Sequence, residues 1–219
     1  MNLLALETAT DACSVALRCG NAVHARHCIA PRRHTELVIG MLDEVLAEAA
    51  VERAAIDVVA YGHGPGSFTG VRIAATLAQG IALARELPVV AVSSLAALAA
   101  GAQRRGHRGR IVAALDARRG EIYAATFSAA SGSLQRLGPD AVFAPEALLL
   151  PGGGDWLAVG NAWEVYAARL PAALNALARD AIVYPDAIDI AALAVDEFAA
   201  GRGRAAEAAL PLYLRGALD

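Results

Sequence analysis

The sequence predicts an α/β protein of two related lobes, and three observations carry that expectation. An apolar, β-branched run at residues 56–61 leads into a glycine-rich loop at 62–70 and then into a helix with no breaker before Gly80. This is the strand–loop–helix order of an α/β unit. Two groups of short strands, bounded by hairpin-turn residues, begin near Leu3 and Val112. The two groups also share a pattern. Residues 112–116 followed by 121–126 lie over 3–7 followed by 12–17 at an offset of 109, half the chain, so that Asp116 falls on Glu7.

Taken in order, residues 2–7 form a strand, 8–11 a polar turn and 12–18 a second strand. Cys19-Gly20-Asn21 is a hairpin signal, and a third strand follows at 22–29 before Pro31 ends the meander. Residues 34–50 read as a helix with a narrow polar stripe (Glu36, Gly40, Asp43, Glu44, Glu48), which leaves Leu37, Val38, Met41, Leu42, Val45 and Leu46 to be covered. The helix after the glycine loop, capped by Ser67 or Thr69 and running to Glu86, is also apolar around most of its circumference. Its small residues Gly70, Ala74, Ala78 and Ala82 form one row that would let a second helix approach closely. The pattern leaves open whether this helix is sandwiched inside the fold or divides its faces between a sheet and another chain.

A strand at 88–92 and a short alanine-rich helix, begun by Ser93 or Ser94 and ending near Gln103, close a first lobe of residues 1–103. The basic stretch 104–110 opens a second lobe, 104–219. There a turn at 130–133 and a weak strand at 134–137 complete the second meander. A helical turn at 145–149, a flexible loop at 151–154, a strand at 156–160 and helices at 162–170 and 172–179 follow. Pro185-Asp186 starts a long apolar helix to Ala200, expected to return toward the first lobe, and the tail runs to Arg215.

Composition narrows the chemistry. With 219 residues, 57% hydrophobic, the chain can bury a sizeable core, and a net charge of −3 gives no general attraction to nucleic acid. No apolar run is long enough to span a membrane, the start lacks a secretory pattern, and the three cysteines match no zinc spacing; a cytoplasmic location is expected. All 19 basic residues are arginine, which excludes both a Walker A lysine and a Schiff base. The glycine loop overshoots the dinucleotide fingerprint by one residue, and Pro65 stands where a nucleophile elbow needs glycine. None of the five histidines pairs in a metal motif; His24 and His27 point to opposite faces of one strand. His34 and His63 read as structural or solvated, and nothing in the spacing supports a Ser67–His63–Asp116 triad. Arg104, Arg105, Arg108 and Arg110 could meet RNA phosphates or form a solvated loop.

A strand ending in an acid, a turn and two antiparallel strands, used twice, marks the actin-like ATPase and sugar kinase architecture, a ribonuclease H-like fold of duplicated βββαβα units. In that architecture the acids after each lobe's first strand face nucleotide phosphates or metal, so Glu7 and Asp116 are the cofactor-binding candidates. The stretches LETATDACSVAL, YGHGPGSFTGVRIA, PVVAVSSLAALA and ALDARRGEIYAA, with the closing P-x-Y-x-R at Pro211, Tyr213 and Arg215, resemble the TsaB family of bacterial tRNA threonylcarbamoyladenosine biosynthesis proteins. Glu7 stands where that family usually has Asp, and His63 where Arg is common.

The resemblance implies a non-catalytic subunit with no catalytic residue, no metal and no cofactor of its own, ATP or ADP entering at the level of the complex. It implies TsaD and TsaE as partners, a homodimer when alone, and tRNA reached indirectly. The two apolar helices would supply the partner surface, with Leu37, Met41, Gly70, Val71, Ala74, Ala78 and Ala82 as contacts. The alternative is an autonomous nucleotide-dependent kinase or ATPase of the same fold. A peptidase would need a metal or nucleophile constellation that the sequence lacks.

Overall fold

The computed structural model describes residues 1–214 apart from Ser131, Gly153 and Ile182. Arg215 of the closing motif, and one residue each of the turn at 130–133 and the loop at 151–154, therefore lie outside the described residues. The first sheet comprises β1 (Asn2–Glu7), β2 (Ala12–Cys19), β3 (Ala22–Ile29), β4 (Val58–Gly64) and β5 (Val89–Ser93), in the order β3-β2-β1-β4-β5. The β1–β2–β3 meander is antiparallel, whereas β4 and β5 add in parallel. The crossovers are α1 (His34–Glu48) and α2 (Phe68–Leu83).

The second sheet repeats the plan. It holds β6 (Arg110–Arg118), β7 (Glu121–Ser128), β8 (Gln135–Arg136), β9 (Ala141–Phe143), β10 (Trp156–Val159) and β11 (Ala178–Arg179). Its order is β11-β10-β6-β7-β8, with β9 also paired to β7, antiparallel on the meander side and parallel for β10 and β11. The fold is thus the duplicated actin-like one, with one adjustment to the sequence overlay. Glu7 faces Ser14, but Asp116 faces Ile122, so the second hairpin is one residue tighter and the offset slips by one along β7.

Alternation along β1 shows how the layers form. Leu4 and Leu6 point into a core shared with α1 and α2, while Leu3 and Ala5 point to the other face, under α6 (Ala187–Ala199). The helices that end each repeat cross over. The helix α3 (Ser94–Arg104) packs Leu95, Leu98 and Ala102 on Ile111, Leu115 and Phe127 of the second sheet, while α6 packs Ile190 and Ala194 on the first. Side-chain caps fix where these helices start: Ser67 Oγ accepts from Gly70 N–H, Ser93 Oγ from Ala96 N–H, and an Asp186 oxygen from Ile188 N–H.

Two expected helices are shorter in the structure. Residues 162–170 give only α4 (Ala162–Val165), and 172–179 give α5 (Ala172–Asn175) followed by β11, because that segment is taken as an edge strand alongside β10. No helix among the described residues is long and apolar enough to cross a membrane.

Candidate functional site

The carboxylate of Glu7 sits at the C-terminal end of β1 and is completely buried. Its Oε1 accepts from Ala9 N–H at 2.6 Å and its Oε2 from the Ser94 hydroxyl at 2.7 Å. Gly62 on β4 lies against it; a Cβ there would stand 2.0 Å from Oε2. Burial drives the Glu7 carboxyl up to about 7, against the pull of those hydrogen bonds. Nearby, the Ala187 N–H at the start of α6 donates to the Ser14 hydroxyl oxygen on β2 at 2.8 Å.

Asp116, at the matching place on β6, lines a cavity of about 700 Å³ between the lobes, whereas Glu7 does not. Its Oδ1 accepts from both the Tyr166 hydroxyl and Arg118 N–H at 2.7 Å, and its Oδ2 lies 3.1 Å from the Arg118 guanidinium. Tyr166 is held above its ordinary pKa, by burial and then by this hydrogen bond, so it remains the donor. The structure therefore brings only one of the two acids to the cleft. Glu7 is sealed off and Asp116 is already engaged by Tyr166 and Arg118, while Asp11 is the other carboxylate that lines the cleft.

The remaining sequence candidates have structural partners. Ser67 caps α2, and His34 Nε2 lies 3.1 Å from the Ala12 carbonyl oxygen. His24 meets Glu48 on one face of β3 and His27 meets Asp186 on the other, as the alternation requires. Burial holds the His63 imidazole below its ordinary pKa, and its backbone oxygen accepts from Leu212 N–H. In the basic stretch, Arg104 forms a bidentate pair with the buried Asp189, Arg105 meets Asp180, and Arg108 donates to the Gln103 and His107 carbonyls.

The expected partner face needs correction. Met41, Gly70, Val71, Ala74, Ala78 and Ala82 are all buried, and Leu37 is half-buried against the same core. The small row turns toward the chain's own sheet because α2 lies almost on the backbone there: a Cβ at Gly70 would meet the Thr8 carbonyl oxygen at 2.0 Å. The opposite side of α2 is the uncovered one. Phe68, Arg72, Ile73, Thr76 and Leu77, with Thr35, Val38 and Ile39 of α1, line an open groove of about 390 Å³. Phe68 is 61% exposed and Ile39 43%.

At the N-terminal end of α2 the groove meets the cleft. Arg72 lies over the Phe68 ring, 3.5 Å from its centroid, and donates to the Tyr213 hydroxyl at 2.6 Å. Tyr213 belongs to a C-terminal strap, residues 210–214, held further by Tyr61 OH to the Leu210 carbonyl and Leu212 N–H to the His63 carbonyl. Nothing in the sequence pattern places this strap at the cleft; only the position of Tyr213, well past the last helix, hints that it packs back.

Two ribonuclease H-like sheets with exchanged terminal helices and a cleft between them define a protein of the actin-like ATPase and sugar kinase class. The family model for TsaD, tRNA N6-adenosine threonylcarbamoyltransferase, matches residues 25–213. The tRNA threonylcarbamoyladenosine biosynthesis protein TsaB of Escherichia coli K12 is 39% identical over 98% of this chain and 95% of its own length. Its Haemophilus influenzae counterpart is 45% identical over 56% of this chain and 52% of its own. Two Pseudomonas aeruginosa structures superpose with a TM-score of 0.91. One, described as an uncharacterized protein with similarity to peptidase YEAZ, is 41% identical and covers 98% of this chain and 99% of its own. The other, YeaZ, is 42% identical with coverage of 97% and 99%. This chain belongs to the TsaB family, within the wider TsaD group.

Proposed function

We propose that this chain works in tRNA threonylcarbamoyladenosine biosynthesis as a non-catalytic subunit, docking a TsaD-type transferase through the α1–α2 groove. The observation that carries the reading is the groove itself, an apolar helix face left uncovered in a chain whose two matched acids, Glu7 and Asp116, are engaged within its own fold. The identity of the occupant is supported by the TsaD model matching across both α1 and α2. A TsaD-type chain then carries an equivalent helix pair, and two such pairs can pack face to face about a pseudo-twofold axis. The same geometry allows a homodimer when the partner is absent.

In this reading TsaE joins the assembled pair, ATP or ADP acts at the level of the complex, tRNA is met through the partner, and the complex works in the cytoplasm. The contacts are Phe68, Ile73, Thr76 and Leu77 with Ile39 and the half-buried Leu37. An autonomous kinase is disfavoured by the sealed position of Glu7. The test is reconstitution: purified TsaD and TsaE with ATP, an activated threonylcarbamoyl donor and an unmodified tRNA should yield threonylcarbamoyladenosine only when this chain is added. Modification of equal extent without it, or turnover by this chain alone, would refute the assignment.

A further inference from the structure

The antiparallel register of β2 and β3 sets Cys13 directly opposite Cys28. Alternation turns Cys13, with Val15 and Leu17, into the core beneath α1 and α2, and Cys28 packs against that same core. Both thiols are free. Opposed residues of an antiparallel pair have Cα atoms about 4.5–5.5 Å apart. A disulfide bridges Cα atoms about 4.4–6.8 Å apart. The backbone therefore already holds the two cysteines at bonding separation, on one face of the sheet. The third cysteine does not share this arrangement. Cys19 stands opposite Ala22, six residues further along β2 and so about 20 Å from Cys13.

The two facing thiols differ in access. Cys13 is completely buried, whereas Cys28 is half-buried on β3, the edge strand of the first sheet. Burial, and then the neighbouring Cys28 and Glu7, push the Cys13 thiol up to about 12, so it stays protonated. An oxidant arriving from solvent meets Cys28 first, and the buried thiol waits behind it. An exposed thiol beside a second one is the arrangement in which oxidation ends in a disulfide.

We infer that Cys13 and Cys28 form a reversible thiol–disulfide pair, closed by hydrogen peroxide, that staples the edge strand β3 to β2. The Cys28 sulfur takes one peroxide oxygen, the O–O bond breaks, and the released hydroxide leaves as water with the proton that Cys28 sheds. The Cys13 sulfur then attacks the resulting sulfenic acid. The S–O bond breaks, and the hydroxyl takes the Cys13 proton and leaves as a second water. Two thiols are oxidised by two electrons and the peroxide is reduced to water; a dithiol reverses the bond by exchange. This inference rests on the meander alone and is independent of the docking groove.

Peptide mapping of the full chain tests it. The chain is treated with hydrogen peroxide while folded, and remaining thiols are then alkylated in denaturant. Trypsin leaves the three cysteines on separate peptides, 1–18, 19–26 and 27–32. Peptides 1–18 and 27–32 should appear joined, two hydrogens lighter than their sum, with 19–26 outside the bond, and dithiothreitol should release both. Hydrogen exchange in residues 22–29 should slow at least severalfold in the oxidised chain. In Cys13→Ala the Cys28 sulfenic acid has no partner, and dimedone should label peptide 27–32 at least fivefold more than in the wild type. Oxidation of Cys28 to sulfinic acid with Cys13 still free, or a bond to Cys19 or between chains, would overturn the inference. So would equal dimedone labelling or unchanged exchange in β3.

Discussion

The Ser94 hydroxyl donates a 2.7 Å hydrogen bond to Oε2 of Glu7, joining the first residue of α3 to the end of β1 across 87 positions of sequence. Because α3 packs on the second sheet, this bond ties the two lobes together at the base of the cleft. The position that the architecture elsewhere offers to a ligand is here part of the junction between the two sheets.

The protonation of Glu7 should therefore be visible in stability. Burial raises its carboxyl from 4.5 to about 7, so folding takes up a proton between those values. The protonated form is the one the fold favours. The contribution is best below pH 4.5, falls as the pH rises through that window, and is at its least favourable above about 7. Glu7→Gln keeps the shape and removes the titration. Urea unfolding should show the variant more stable than the wild type at pH 8, by up to about 3 kcal/mol, with the gap closing toward pH 4.5. A constant difference across that range would contradict the assignment.

Two glycines of α2 should respond in opposite directions to the same change. Gly80 is exposed, with nothing within 4 Å of the methyl that alanine would add, so Gly80→Ala should stabilise by up to about 1 kcal/mol through helix propensity. Gly70 has the Thr8 carbonyl oxygen 2.0 Å from the same methyl, and Gly70→Ala should cost about 1–3 kcal/mol as α2 is pushed from the sheet. Thermal melts of the two variants check both signs.

The strap should loosen when its clamp is cut. Tyr213 is 48% exposed, so Tyr213→Ala should change global stability by less than about 1 kcal/mol. It removes the hydrogen bond from Arg72 and the ring beside Phe68, and the strap then hangs on the bonds to Tyr61 and His63. Hydrogen exchange at the Leu212 amide should rise at least severalfold while core amides stay protected.

Much of this molecule is legible in its residues. Strand β1 follows directly from an apolar run and β3 from the Cys19-Gly20-Asn21 turn before it, and Asp186 announces α6 by its capping chemistry. The duplication is legible because an acid ends β1 and nearly ends β6. The one-residue slip along β7 is not, since alanine-rich strands pair equally well in neighbouring registers. Strands β8, β9 and β11 are only two or three residues long and carry no period to read. The small row on α2 misleads for a physical reason: close approach is what small residues permit, but they do not say whether the neighbour is another chain or the Thr8 backbone. Nor does Glu7 reveal in sequence that Gly62 and Ser94 will enclose it.

The central claim is that a TsaD-type partner seats on the outer face of α1 and α2, and Thr76→Arg tests it most directly. Thr76 lies exposed in the groove, so the substitution should move the melting free energy by no more than about 0.5 kcal/mol. Titration of TsaD with the wild-type chain and the variant should show at least a tenfold loss of affinity for Thr76→Arg, with the circular dichroism spectrum unchanged. Ala78→Arg, fully buried two residues away, should instead unfold the monomer. Wild-type affinity in Thr76→Arg would place the partner on another surface and contradict the account.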